Sequence, residues 1–195
     1  MVPTEDGAFR AVPGGGPFNV ARTIARLGEP CAYLGSLSTD GFGQLLREGL
    51  LESHVDDSYA PSTDAPTTLA LAWLDDAGAA SYLFYVDGTS AAELSVDEAQ
   101  AVLAKTPRIL YVGTLGLVLE PMASSVETVM TSLPEDVLLV VDPNCRPTIP
   151  DAHPAALHER LLAVRPDLAD RRLEHHVGHG RAHPGVHAAG AIMAA

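Results

Sequence analysis

Apolar positions near the start of the chain recur with a helical period and then give way to strand-like runs. Val20, Ile24 and Leu27 fall at i, i+4 and i+7 and form one stripe, while Arg22, Thr23 and Arg26 face away from it. Asn19 stands where the helix is predicted to begin, an N-cap residue whose side-chain oxygen accepts an orphan amide. Gly28 and Pro30 punctuate its end. The pattern predicts a strand over residues 31–37, then a turn through Asp40, Gly41, Phe42 and Gly43 that opens a second helix over about 42–51. Residues 67–74 and 79–86 are rich in β-branched and aromatic side chains and read as two strands of a hairpin, with the loop 75–78 ending in glycine.

From Ser95 the pattern alternates between helix and strand. Ser95 and Glu98 make a capping box for a helix reaching about residue 104, and a strand over 108–112 follows. Pro121 suits a first helical position, and Met122, Val126, Val129, Met130 and Leu133 then line one face. The continuous apolar run 137–141 has strand length and predicts a strand covered on both faces, as in a parallel sheet. One more helix is predicted over 154–164. Such βαβα alternation implies a parallel sheet with helices on both sides.

The last stretch, residues 165–195, breaks this regularity. It holds no aromatic residue and shows no helix or strand period, but it carries five of the eight histidines (His175, His176, His179, His183 and His187). Net charge is −14 over residues 1–164, from eight basic and 22 acidic side chains, and +1 over the tail, from four and three. No carboxylate or cysteine recurs at a ligand spacing beside those histidines, so no metal site is expected. The tail reads as a segment outside the fold, such as a frameshift product, that contributes no packed surface.

Composition narrows the function. At 195 residues one domain is the default, and 47% hydrophobic with 19% charged residues is globular. A net charge of −13 argues against a nucleic-acid or anionic-membrane partner. The longest strongly apolar run, 109–119, is too short to span a bilayer. Glu5 and Asp6 stand where a signal peptide would be basic and then apolar, so the expected location is cytoplasmic. Cys31 and Cys145 show no metal spacing and read as free thiols in a reducing compartment.

The candidate chemistry starts at Gly14, Gly15 and Gly16, whose missing side chains let a ligand approach backbone amides. Residues 1–12 are polar and offer no strand before these glycines, which excludes a dinucleotide fingerprint. No Gly-Lys-Ser/Thr ending follows, which excludes a P-loop.

Taken together, Gly14 through Ala21, Leu27-Gly28, Leu34-Gly35 and the Asp40-Gly41-Phe42-Gly43 turn resemble the N-terminal signature of the ribokinase-like (PfkB) carbohydrate kinases. The resemblance continues through Thr67 to Ala70, Phe84-Tyr85 with Gly88-Thr89, and Asp142-Pro143-Asn144-Cys145-Arg146-Pro147, covering roughly residues 3–164. It is closest to the fructokinase and 2-keto-3-deoxygluconate kinase branch. It implies an α/β fold, a ribokinase-like three-layer α/β/α parallel sheet with a small β-sheet lid (hairpin about 66–87), here truncated. It implies an ATP-dependent kinase acting with Mg2+ on a hydroxymethyl group of a sugar or sugar acid, and two copies pairing through the lid.

Residue by residue, the resemblance makes Gly14, Gly15 and Asn19 ligands of sugar hydroxyls, with Asp40 and Gly43 shaping the same pocket. Tyr85, with Trp73, Tyr82 and Phe84, is a candidate for sugar stacking or for packing within the lid. Asp142, Asn144 and Arg146 follow a strand directly, at the carboxyl end where open α/β sheets bind ligands. Arg146 offers a forked cation for a carboxylate or phosphate, and equally a turn salt bridge. The family's buried first strand, which delivers a substrate-binding Asp, falls before Met1, and Asp6 is no substitute in an exposed turn. The family's Gly-Ala-Gly-Asp anion hole and catalytic base, and its Asn-x-x-Glu element for Mg2+, do not occur; Gly178-His179-Gly180 lacks the following Asp. The expectation is a kinase by descent with no turnover in this chain alone. The alternatives are a non-catalytic sugar-binding remnant or partner subunit, and a Rossmann-like nucleotide-binding regulator.

Overall fold

A computed structural model of the chain describes residues 1–4, 8–74, 80–142, 154–164, 186–187 and 191–194. The short strands β1 (Val2–Pro3), β2 (Phe9–Arg10) and β3 (Pro13–Gly14) lead into helix α1 (Gly16–Arg26). The helix begins earlier than its apolar stripe suggested. Gly15, at φ 119°, turns the chain into the helix and is its N-cap, a conformation open to glycine. Pro17 fits the first turn, where a missing amide costs nothing, and Asn19 lies within that turn rather than capping it.

The predicted strand 31–37 is two strands. β4 (Cys31–Leu34) joins the main sheet, whereas β5 (Leu37–Ser38) pairs in parallel with β6 (Ser62–Thr63) beyond helix α2 (Gly41–Glu52). β7 (Leu69–Leu74) and β8 (Ala80–Tyr85) form the antiparallel hairpin, with Leu69 opposite Tyr85 and Ala72 opposite Tyr82. α3 (Val96–Gln100) carries the full Ser95–Glu98 capping box and tightens into a 3-10 turn over Ala101–Lys105. β9 (Ile109–Gly113), α4 (Met122–Ser132), β10 (Leu138–Asp142) and α5 (Pro154–Val164) follow in the expected alternation. Two strands come from the tail, β11 (Val186–His187) and β12 (Ala191–Ala194).

The central sheet has the order β10-β9-β12-β4. β9 and β10 are parallel, with Leu138 opposite Ile109 and Asp142 opposite Gly113. β12 runs antiparallel to both β9 and β4, which are therefore parallel to each other and one strand's width apart. Two strands so placed turn unpaired amides and carbonyls toward one another, and an extended backbone between them satisfies both rows. The tail is read from sequence as lying outside the fold, but its described residues 191–194 form a strand of this sheet. Its Ala-Ile-Met-Ala run is too short to show a period. A second sheet, β3-β11-β7-β8, joins the entry to the glycine run with the hairpin.

Strand alternation sorts the core into two layers. Cys31, Tyr33 and Tyr111 turn toward α1 and α2, among Phe18, Leu46 and Leu50. Leu34, Leu110 and Val112 turn to the opposite side, among Met122, Val126, Val129 and Met130 of α4 and Leu157 and Leu161 of α5. Arg160 of α5 ties down the second layer by pairing with Glu127 and, at 2.6 Å, with Glu120. The result is the three-layer α/β architecture with a parallel β9–β10 pair. β10 departs from its predicted burial: Leu139 and Val141 pack in the core, but Leu138 and Val140 remain 50% and 37% exposed. Among the described residues β10 is an edge strand, and no described helix covers its Leu138 side. No helix among the described residues is long and apolar enough to cross a membrane.

Deleting residues 188–195 removes the backbone pairing along both flanks of β12. With each hydrogen bond worth about 1 kcal/mol net, Tm should fall by roughly 5–10 °C. An unchanged melting curve would show that β12 carries no part of the sheet.

Candidate functional site

The carboxyl end of the β9–β10 pair is built around one close approach. Gly113 ends β9, and a Cβ there would stand 2.7 Å from Cγ of Pro17, so only a glycine lets the first turn of α1 lie against the strand. Gly14 and Gly15 are buried beneath this turn and Gly16 is exposed at its start. A Cβ on Gly16 would lie 3.8 Å from the hydroxyl oxygen of Tyr111. That hydroxyl donates to the carboxylate of Asp142 at 2.9 Å. The start of α1, the Tyr111 hydroxyl and the Asp142 carboxylate therefore meet in one corner, at the end of the sheet where α/β folds bind ligands.

Burial raises the Tyr111 phenol well above its ordinary value, and the bond to Asp142 and its charge push the same way. The phenol stays protonated at physiological pH and remains a donor. The Asp142 carboxylate accepts this bond and has further contacts of its own. The first-turn amides of α1 complement it as donors at the positive end of the helix. Asn19 is exposed in the same turn, and its side-chain amide bonds to no described residue. It can both donate and accept. Tyr111 was not singled out from sequence. Its signal was a lone hydroxyl in the apolar run Ile109-Leu110-Tyr111-Val112, two residues before a strand-ending glycine.

Asp40 and Gly43 are committed elsewhere. The Asp40 carboxylate accepts from the Gly43 amide at 2.8 Å, capping α2, and from the amide and hydroxyl of Thr67 at 2.9 and 2.6 Å. Burial alone would raise this carboxyl. The hydrogen bonds from Thr67, Gly43 and Ser38 outweigh it and hold the group below its ordinary value. A Cβ on Gly43 would fall 2.0 Å from the Ser38 carbonyl oxygen, so this glycine serves close packing. Asp40 thus pins the start of the lid to the second helix, and α2 packs against β3.

In the lid, Tyr82 and Phe84 stack on each other with centroids 6.0 Å apart, while Tyr85 is 52% exposed at the end of β8. The Trp73 side chain, the hairpin loop 75–78, Asn144, Arg146, Cys145 and four of the five tail histidines lie outside the described residues. Cys31 is buried, and burial pushes its thiol up to about 11. No group of three His, Cys, Asp or Glu able to hold a metal ion stands together among the described residues.

The three-layer α/β domain is shared with known proteins. The model of the pfkB family of carbohydrate kinases matches residues 2–165. A probable chloroplastic fructokinase-6 from Arabidopsis thaliana is 33% identical over 84% of this chain and 45% of its own length. Fructokinase-1 of Zea mays is 34% identical over 73% of the chain and 45% of its own. The solved fructokinase of Xylella fastidiosa superposes with a TM-score of 0.68 at 27% identity, over 76% of this chain and 49% of that one. The same protein solved with bound ATP gives a TM-score of 0.67 at 26% identity. The chain belongs to the pfkB family of carbohydrate kinases. It spans about half the length of the relatives it matches.

The lid brace gives a pH-dependent prediction. Because the folded Asp40 carboxyl sits below its unfolded value, its contribution is present above about pH 4 and is lost as pH falls through the folded value. Asp40→Asn should therefore cost about 1–2 kcal/mol at pH 7, and the difference from wild type should narrow toward pH 3. Thermal melts across this range check it, and a gap that stays constant would contradict it.

Proposed function

We propose that this chain carries the acceptor-sugar side of a carbohydrate kinase, binding a sugar or sugar acid at the corner formed by Gly14, Gly15, Asn19, Tyr111 and Asp142. The observation that carries the reading is the Tyr111–Asp142 bond beside the glycine turn. It sets the Asp142 carboxylate and the acceptor lone pairs of the Tyr111 oxygen beside the donor amides of the α1 start. Sugar hydroxyls each donate and accept, so a corner offering both in one plane of approach suits them. Asn144 and Arg146 directly follow Asp142 in sequence and join the reading as further ligands, with Arg146 favouring an acidic sugar. Asp40 and Gly43 act in it by holding the lid's first residues, and Tyr85 by its exposure on the lid.

The donor side is different. ATP and Mg2+ belong to the family's chemistry, but the described residues do not fit them. No metal-holding group stands among them. Arg47 is paired with Asp57, Arg160 with Glu120 and Glu127, and Arg22 lies over the Phe18 ring and bonds to Ser53. Lys105 and Arg108 lie at the opposite, amino-terminal end of β9, Arg26 at the far end of α1, and Arg10 is exposed on β2. Phosphoryl transfer depends on positioning and on charge neutralisation of the transferring group, so half a site does not give a proportionate rate.

The exposed lid residues Leu83 and Tyr85 supply the surface on which two copies would pair. The buried, unreactive thiol of Cys31 suits a reducing, cytoplasmic setting.

In calorimetric titrations with fructose and 2-keto-3-deoxygluconate, Asn19→Ala and Asp142→Ala should each weaken binding by about 5- to 150-fold, or about 1–3 kcal/mol. Asn19→Ala should leave Tm unchanged, because its side chain is exposed. The 195-residue chain should release no ADP in a sugar-dependent manner. Unaltered affinities in both variants would remove the sugar site. Sugar-dependent ADP release abolished by Asp142→Ala would place a base and a phosphate site within these residues.

A further inference from the structure

The chain enters β9 through a turn that its own sequence resists. The 3-10 turn Ala101–Lys105 ends at Thr106, which stands in the left-handed region at φ 45° and ψ 63°. A β-branched residue at positive φ is an outlier, because its branches crowd the backbone. Pro107 adds a second strain, since its ring pushes the residue before it toward the extended conformation. A backbone bond holds Thr106 there, its amide donating to the Leu103 carbonyl at 3.2 Å. Beyond it the chain is firm: Pro107 is buried, and the Arg108 carbonyl accepts from the Leu138 amide at 2.9 Å.

The Thr106 side chain takes no part in holding this turn. It is exposed and its hydroxyl bonds to no described residue, whereas each of the other described threonine side chains gives or takes a hydrogen bond. Just before it stands Lys105, the chain's single lysine, and two residues after it Arg108. Both are exposed, and neither forms an ion pair among the described residues. Two such cations around one free hydroxyl stand out in a chain of net charge −13.

We propose that Thr106 is a phosphorylation site for a protein kinase that selects proline after its acceptor. The γ-phosphoryl group of ATP passes to Oγ1 of Thr106. An O–P bond forms there, the bridging bond to the β-phosphate breaks, the hydroxyl proton goes to the kinase's own base and ADP leaves. Backbone strain favours the step. Thr106 gives up one hydrogen bond to reach the extended form that a residue before proline prefers, and an extended segment is what a kinase cleft takes. The phosphate, with a charge of about −1.5 to −2, is then matched by Lys105 and Arg108 through charge-assisted hydrogen bonds. Sequence sharpens the choice, because of the 15 prolines only Pro107 follows a serine or threonine. The turn lies at the amino-terminal end of β9 and the corner at its carboxyl end, so this site is independent of the sugar reading.

The test combines the full 195-residue chain with Mg-ATP and the catalytic domain of a proline-directed serine/threonine kinase, chosen because it phosphorylates the isolated peptide of residues 101–112. Tandem mass spectrometry should place a single phosphate on Thr106, at a rate within about tenfold of the peptide's, because the strained turn opens locally at low cost. Thr106→Ser should be phosphorylated and Thr106→Val should not. In the phosphorylated chain the amide of residue 106 should exchange about tenfold faster, as its bond to Leu103 is given up, while residues 109–113 keep their protection. A folded chain left unmodified while the peptide reacts would overturn the proposal. So would a Thr106→Val chain labelled as fast as wild type, or an unchanged exchange rate at residue 106 after phosphorylation. Failure here leaves the acceptor-sugar reading intact.

Discussion

The site depends on how closely the first turn of α1 can approach the end of β9. Gly113 has no side chain to meet the Pro17 ring, and Gly15 can adopt the positive φ that turns the chain onto the strand. Put a side chain at either position and the helix start moves away from Tyr111. The Tyr111–Asp142 bond then loses its neighbour, and the amides at the head of α1 no longer share a corner with the carboxylate. The contact between Gly113 and Pro17, far apart in the sequence, thus decides whether donors and acceptors converge.

A second constraint links this corner to the lid. The Asp40 carboxylate receives three hydrogen bonds from two segments, the first turn of α2 and Thr67 at the entry to β7. Thr68 continues the brace through its hydroxyl pair with Thr89 at 2.6 Å, beyond the end of β8. Both ends of the hairpin are therefore fixed to the domain. Its apolar outer residues Leu83 and Tyr85 stay exposed.

Much of the fold was legible because its signals are local. The capping box at Ser95, the stripe through α4 and the alternation after residue 95 each needed only a few neighbouring residues to be read. What was not legible depends on partners distant in sequence. Asn19 looked like a cap because Asn is a good one, yet the positive φ available at Gly15 moved the boundary back. β10 looked covered on both faces because its residues are apolar, but burial depends on which elements lie beside it. The four residues of β12 carry no period, and only the gap between β4 and β9 gives them a place. Asp142 was found as a strand-ending carboxylate, whereas Tyr111 acquired meaning once the register set it diagonally across from Asp142.

Whether the head of α1, Tyr111 and Asp142 bind a sugar as one corner is read by titrating fructose into the 15N-labelled chain and following amide shifts residue by residue. Saturable shifts should concentrate at Gly15, Gly16, Phe18, Asn19 and Gly113, with the Tyr111 hydroxyl environment changing in step. Shifts confined to other regions, or none at high millimolar sugar, would contradict it.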